Sequence, residues 1–410
     1  MSYTVLARRY RSASFDEVVG QETTARTLQN AIATGRIAHA YLFTGTRGVG
    51  KTSMARIFAR ALNCPDTIPD CPKPPPSENS QEAFDYPPQE VQERMAQAIM
   101  RGDDLNVIEI DGASNNSVDN ARQLIVNASM APTGNARFKV YIIDEVHMLS
   151  TAAFNALLKT MEEPPAHVKF ILCTTEVHKV PVTIQSRCQR FDFRNIPAAK
   201  IAGHLKDVLK QEKVKADEAL VHQVARLGNG SMRDALSLLD RLIAAAVPAP
   251  GQSEQGGWLT GELLEQVLGL PPQERVVRLV DACVAGDAAA ALQEGAALLD
   301  SGVAQDQLLD VLIDRLRTLL LLSTCGADSE LVEIPQEALP QAQQQAQALD
   351  AAALVYMIAL CENCQRSAKI SSNPRALLDA TLVRLALAEK MADITGLLAG
   401  SGPDRGQKKK

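Results

Sequence analysis

Four short apolar runs, "YLFTG", "LNVIEID", "KVYIIDE" and "KFILCTT", each end in polar, acidic or glycine positions, and stretches of helical spacing separate them. Alternation of buried strands with helices predicts a parallel sheet covered by helices on both faces, an α/β layer over residues 1–185. Beyond about residue 196 the strand-like runs stop. "AKIAGHLKDVLKQE", "DEALVHQVARLG" and "MRDALSLLDRLIAAAV" carry apolar residues three and four apart, which predicts a small helical domain over 186–247. "PAPGQSEQGG" (248–257) has no periodicity and reads as a linker, and helical spacing resumes from Trp258 to Ile394 as a third, all-helical domain. The end, 395–410, has turn formers and then lysines and reads as a disordered basic tail. A proline-laden stretch, 64–88, interrupts the first layer and predicts an exposed excursion. No internal repeat is evident.

Composition narrows the class. With 410 residues, 46% hydrophobic and 22% charged, the chain has room for two or three domains, and 4% aromatic content favours helices over a β-sandwich. No run is long and apolar enough for a membrane-spanning helix, and "MSYTVLARRYRS" lacks the apolar heart of a signal peptide, so the expectation is a cytoplasmic chain without a membrane partner. Eight scattered cysteines, several in apolar runs, read as small buried side chains, the "CENC" pair at 361–364 among them. A formal net charge of −6 argues against coating DNA by bulk charge but leaves room for a local basic surface.

Residues 45–52, "GTRGVGKT", sit where a strand gives way to the helical run "SMARIFARAL". They fit the phosphate-loop spacing G-x-x-x-x-G-K-[ST] at Gly45, Gly50, Lys51 and Thr52. Backbone N–H groups of Gly45, Thr46, Arg47, Gly48, Val49 and Gly50 can turn inward around an anion, and the helix start adds its positive dipole end beside Ser53. Lys51 would reach the β- and γ-phosphates, and Thr52 would hold Mg2+ through its hydroxyl. Met54, Ile57, Phe58, Ala61 and Leu62 form the core-facing stripe that such a helix needs.

A strand ending in Asp144 and Glu145 supplies the Walker B pattern, with Asp144 orienting the Mg2+ shell and Glu145 polarising the attacking water. Thr174 and Thr175 end the next strand, where a hydroxyl can reach a γ-phosphate. Arg187 follows Pro181 in a loop or short helix, and Arg233 falls in the first turn of a helix capped by Ser231. Both arginines read as surface residues by default, but arginine is also the residue type that stabilises a transferring phosphoryl group.

In combination, "HAYLFTGTRGVGKTS", "FKVYIIDEVHMLS", "FNALLKTMEEPP", "SRC" and "GSMRDALSLLD", with the opening "SYTVLARRYR" and "FDEVVGQE", resemble the bacterial DNA polymerase III gamma/tau subunits, the AAA+ motors of the sliding-clamp loader. The resemblance is dense to about residue 246 and weaker through the third domain. It implies an AAA+ domain, a helical lid and a C-terminal collar that holds a pentamer together. It also implies that Arg187 completes the ATP site of an adjacent subunit, that Arg233 is the sensor on the lid, and that Thr175 is the sensor at the strand end. Tyr10, Val18 and Val19 would surround the adenine, with Gln21 in the same box. The implied activity is ATP hydrolysis that drives a sliding clamp onto primed DNA, bound through its phosphates without sequence preference, within a polymerase holoenzyme. No polymerase site of the chain's own is evident. Implied partners are the other clamp-loader subunits, further copies of this chain and, only in a longer form, the polymerase core. A protomer that binds nucleotide without turnover and a different AAA+ DNA-remodelling ATPase stand as alternatives. The family commonly carries a four-cysteine zinc module, but Cys64 and Cys71 are followed by no cysteine or histidine before His147, so the expectation is no zinc. A disulfide or an intersubunit site stays open for this pair.

Overall fold

The computed structural model describes residues 3–73, 75, 84–134, 136–246, 258–327, 329, 332 and 338–388. Two compact units emerge, Met1–Trp258 and Leu259–Lys410. The linker expected at 248–257 and the tail at 395–410 lie outside the described residues.

The first unit is built on five parallel strands, β1 (Ala40–Thr44), β2 (Val107–Asp111), β3 (Lys139–Asp144), β4 (Val168–Thr174) and β5 (Gln189–Asp192), in the order β2-β3-β4-β1-β5. Side chains alternate between the two faces of a strand. Tyr41, Phe43, Val140 and Ile142 therefore pack one way, onto helices Glu22–Ala33 and Lys51–Asn63, while Leu42, Tyr141, Ile143 and Leu172 pack the other way, onto Val118–Ala128 and Thr151–Glu162. The expected helices on both faces are present. Because β4 lies between β1 and β3, the tip carrying Thr174 stands between the phosphate loop after Thr44 and the Asp144–Glu145 pair. The chain leaves β1 for β2 on one side of it and passes from β4 to β5 on the other, and α/β folds bind ligands in the crevice at such a reversal of strand order.

Two expectations need correction. The sheet does not end at 185: "QRFD" adds β5, whose alternating pattern was too short to stand out as an apolar run. The proline-laden stretch is not wholly an excursion. Cys64, Pro65 and Ile68 are buried and Cys71 packs against the same core, because the few apolar residues in that stretch have a hydrophobic neighbour in the helix Gln89–Arg101.

Helices Ala198–Glu212, Glu218–Leu227 and Met232–Ala245 follow. The N-terminal segment is laced to them: Arg9 pairs with Glu212 at 2.5 Å, the Tyr10 hydroxyl donates to Glu212, and the Leu6 N–H donates to Asp240 at 3.4 Å. Among its described residues the second unit consists of helices, from Gly261–Leu268 to Pro374–Ala386. In its longest helix, Gln305–Cys325, Leu308, Leu312, Leu316 and Leu319 recur at helical spacing and are wholly buried. Cys361 and Cys364 belong to the same core. No helix among the described residues is long and apolar enough to cross a membrane.

Candidate functional site

A cavity of about 870 Å³ opens at the carboxyl end of the sheet. Its walls bring together the phosphate loop from Arg47 to Ser53, the Asp144–Glu145 pair, Arg233 of the helical domain, and Tyr10, Val18 and Val19. Seven cationic side chains face it against three carboxylates, so a chain that is acidic overall presents a basic cleft here, suited to an anion.

The loop reaches this shape through its glycines. Gly48 has φ +77°, and a Cβ there would collide with the Ser231 hydroxyl at the N-terminus of the helix Met232–Ala245. That close approach lets the Met232 N–H donate to the Gly48 carbonyl at 3.1 Å, which brings Arg233 beside the loop. Ser231 caps its helix by accepting the Asp234 N–H at 3.2 Å.

Lys51 is buried, and its Nζ donates to the carbonyls of Gly45 and Thr46 at 2.7 Å each. Burial pulls its ammonium below the usual lysine value, while Cys173, Glu145 and Asp144 oppose that pull. The Thr52 hydroxyl donates to Asp144 Oδ2 at 2.8 Å, and Asp144 Oδ1 accepts the Glu145 N–H at 3.0 Å. A hydroxyl and a carboxylate so close, beside a loop that only glycine can shape, suit a hard cation on a polyphosphate. The residues therefore fit Mg2+ with ATP. Glu145 adopts a left-handed backbone, φ +46°, a conformation that an unbranched residue takes only when its surroundings impose it.

Other expected residues divide. Thr175 is not on the cavity wall, but its hydroxyl donates to Glu145 Oε2 at 3.1 Å; Thr174 is wholly buried, and its oxygen accepts the Glu176 N–H at 3.0 Å. Gln21 is buried behind the wall and tethers Arg194, its Nε2 donating to the Arg194 carbonyl at 2.7 Å. Thr46 donates to Asn195 Oδ1 at 2.6 Å. Arg187 is not brought to its own chain's cavity. It follows the short helix Val182–Gln185, pairs with Glu162 at 2.5 Å and donates to the Thr183 carbonyl at 2.7 Å.

The expected set did not include several residues. Arg11 lies in the cavity wall, donates to Ser53 Oγ at 3.1 Å and is held below the usual guanidinium value by burial and by Arg56. Arg56 in turn pairs with Glu109 at 2.6 Å. The carboxylate in mid-strand, "VIEID", was a usable signal that a cation waits opposite, whereas nothing in "LARRYRS" marks which arginine turns inward. Gly112 is a further one: its N–H donates to the Asp144 carbonyl at 2.8 Å, and a Cβ would come within 2.7 Å of the Glu145 carbonyl.

Among the described residues, no group of three or more histidine, cysteine or acidic side chains is disposed to hold a metal of its own. Burial pushes the Cys64 and Cys71 thiols up, to about 12 and about 11.

Three family models match the chain in succession: "DNA polymerase III, delta subunit" over residues 20–197, "DNA polymerase III clamp loader subunit, ATPase lid domain" over 200–247, and "DNA polymerase III subunits gamma and tau domain III" over 259–399. DNA polymerase III subunit tau of Bacillus subtilis is 38% identical over 94% of this chain and 63% of its own length. The tau subunit of Escherichia coli is 43% identical over 69% of this chain and 40% of its own length. DNA polymerase III subunit gamma of Buchnera aphidicola is 38% identical over 79% of this chain and 81% of its own. The chain thus spans from two fifths to under two thirds of the tau relatives and most of the gamma relative.

Proposed function

The chain belongs to the DNA polymerase III gamma/tau family of AAA+ clamp-loader subunits, and from that premise we propose that it is an ATP-hydrolysing motor that loads a sliding clamp onto primed DNA. The observation that carries the reading is the convergence of Lys51, Thr52, Asp144 and Glu145 on one basic cavity beneath Arg233.

Lys51, now donating to two loop carbonyls, would exchange those acceptors for phosphate oxygens, at little cost because the ammonium is already desolvated. Thr52 and Asp144 would hold Mg2+, which supplies charge neutralisation on the phosphates. Glu145 would orient and polarise the attacking water. Arg233 would read the phosphates from the lid, and Tyr10, Val18 and Val19 would flank the base. Arg187, which is not on its own chain's cavity wall, would leave Glu162 and stabilise charge in the site of a neighbouring subunit. ATP would then act as the joint between protomers, ordering a pentamer that includes further copies of this chain, and hydrolysis would loosen it. The proposed partners are the companion subunits, the clamp and the phosphates of primed DNA, in the cytoplasm at replication forks. A polymerase core joins only through a longer form. No zinc is required.

The test is ATP turnover by the chain assembled with its companion subunits, with and without clamp and primed DNA. Strong stimulation by the two together is expected, and Arg187→Ala should remove it while each chain still binds ATP. Turnover indifferent to clamp and DNA would overturn the loading role.

A further inference from the structure

His147 lies two residues beyond Glu145, in the 3-10 turn Val146–Met148, and its side chain is only 6% exposed. Its Nδ1 is hydrogen-bonded to Thr174 Oγ1 at 3.1 Å and lies 3.4 Å from Glu145 Oε2. Its Nε2 lies 3.2 Å from Glu176 Oε1. The β4 tip grips the ring from both ends, since Thr174 and Glu176 are themselves joined by the Glu176 N–H to Thr174 Oγ1 hydrogen bond. Thr175, between them, donates to the same Glu145 oxygen that the ring touches. A buried imidazole thus fills the space between the carboxylate that faces the cavity and the strand end that stands beside it.

Resting on the reading of Glu145 as the residue that orients water, we propose that His147 is a positioning residue: its Nδ1 edge fixes the Glu145 carboxylate relative to Thr174–Glu176, so that a shift of this strand tip is felt at the attacking water. The ring needs no contact with nucleotide for this. Glu145 sits on a left-handed backbone at the end of a strand, and nothing in its own backbone sets the carboxylate's direction. Direction must come from neighbours, and Thr175 and His147 both approach the same oxygen, at 3.1 and 3.4 Å. An error of about 1 Å in such a group lowers a rate by about 100-fold.

The experiment separates the two edges of the ring. Asparagine places its amide where Nδ1 was, offering both a donor and an acceptor, whereas glutamine places it where Nε2 was. In the assembled complex with clamp and primed DNA, His147→Gln and His147→Ala should lower kcat about 10- to 100-fold, with ATP Kd and KM within about twofold of the parent. His147→Asn should keep kcat within about threefold. A purely structural histidine would lose turnover and ATP affinity together, with no preference for asparagine, and that result overturns the proposal. Turnover of His147→Ala within twofold of the parent also overturns it. Should the alanine variant fail to fold, the asparagine and glutamine variants carry the comparison, and equal turnover in the two overturns it. Glu145→Gln is run alongside. If that variant stalls while His147→Ala does not, only the present proposal falls; if Glu145→Gln still turns over, the assignment of Glu145 falls and takes this one with it.

Discussion

Among the described residues, the first unit hides lysines, amides and hydroxyls in its interior, while the second hides little beyond Gln345 and Thr381 within a core of leucine and alanine. Backbone strain follows the same division. Asp70, Glu145, Lys213 and Asn229, the described non-glycine residues with positive φ, all lie in the first unit. Burying a polar group costs free energy unless it is partnered, and a left-handed residue costs about 1–3 kcal/mol. Packing helices together requires no such costs, whereas holding an anion and directing a water, as proposed for the first unit, would. The difference between the two cores therefore marks where chemistry is held.

The strongest way to sharpen this contrast is Lys51→Ala. It removes a desolvated ammonium whose two acceptors, the carbonyls of half-buried Gly45 and exposed Thr46, water can reach instead, so ATP affinity should fall by about 100-fold or more, roughly 3 kcal/mol. Thermal stability should stay level or rise. Titration with ATP and a melting curve on the same sample check both halves. A matched loss of stability would mean that Lys51 is structural, and the contrast would fail. The converse change is Gln345→Leu in the second unit. Gln345 accepts from Arg315 at 3.1 and 2.5 Å and donates to Asp281 at 2.6 Å, so leucine removes the hydrogen bonds of a buried amide to two charged groups and should cost about 2 kcal/mol. ATP affinity of the isolated chain should not change.

The same contrast explains what could be read from the chain alone. Strands β1 to β4 were legible because a buried parallel strand is an unbroken apolar run, and the Lys51–Thr52 and Asp144–Glu145 pairs were legible because phosphate chemistry fixes both residue type and spacing. β5 was not, since a four-residue edge strand with only Phe191 buried carries too little hydrophobic signal. Nor were Arg11, Gly112 and His147. Their roles depend on which side chain three-dimensional packing turns inward, and no period encodes that. The four-leucine stripe of Gln305–Cys325 was legible as a helix, but helical spacing is silent about the polar network around Gln345.

A cation buried away from the cavity provides an internal control. Lys169, on β4, is 8% exposed with its Nζ 5.1 Å from the centre of the Phe138 ring, and burial, helped by Arg137, pulls it down to about 8. Its folded value lies below the unfolded 10.5, so between these limits the unfolded chain binds more protons and stability rises with pH. Below about pH 8 the whole penalty is present. Lys169→Met should therefore stabilise the protein by about 2 kcal/mol at pH 7, with the gain shrinking as pH climbs from 8 towards 10.5. ATP affinity should be unaffected. Denaturant titrations of both proteins across that range check the sign. A variant that bound ATP more weakly would show that buried charge in this unit serves the site even at a distance.

The smallest effect makes the cleanest comparison, because one chemical device occurs in both units. Ser231 caps Met232–Ala245 by accepting the Asp234 N–H at 3.2 Å, and Thr260 caps Gly261–Leu268 by accepting the Leu263 N–H at 3.4 Å. Replacing either by alanine leaves one helix-end N–H without its acceptor and should cost about 1 kcal/mol. Only Ser231 is also packed against the phosphate loop, where Met232 holds the Gly48 carbonyl and Arg233 faces the cavity. Fraying of that first turn would loosen Arg233, so Ser231→Ala should weaken ATP binding by about threefold. Thr260→Ala should leave ATP binding untouched at the same loss of stability. Equal behaviour of the two variants in an ATP titration would show that the lid helix is only scaffolding, and Arg233 would then have no part in reading phosphate.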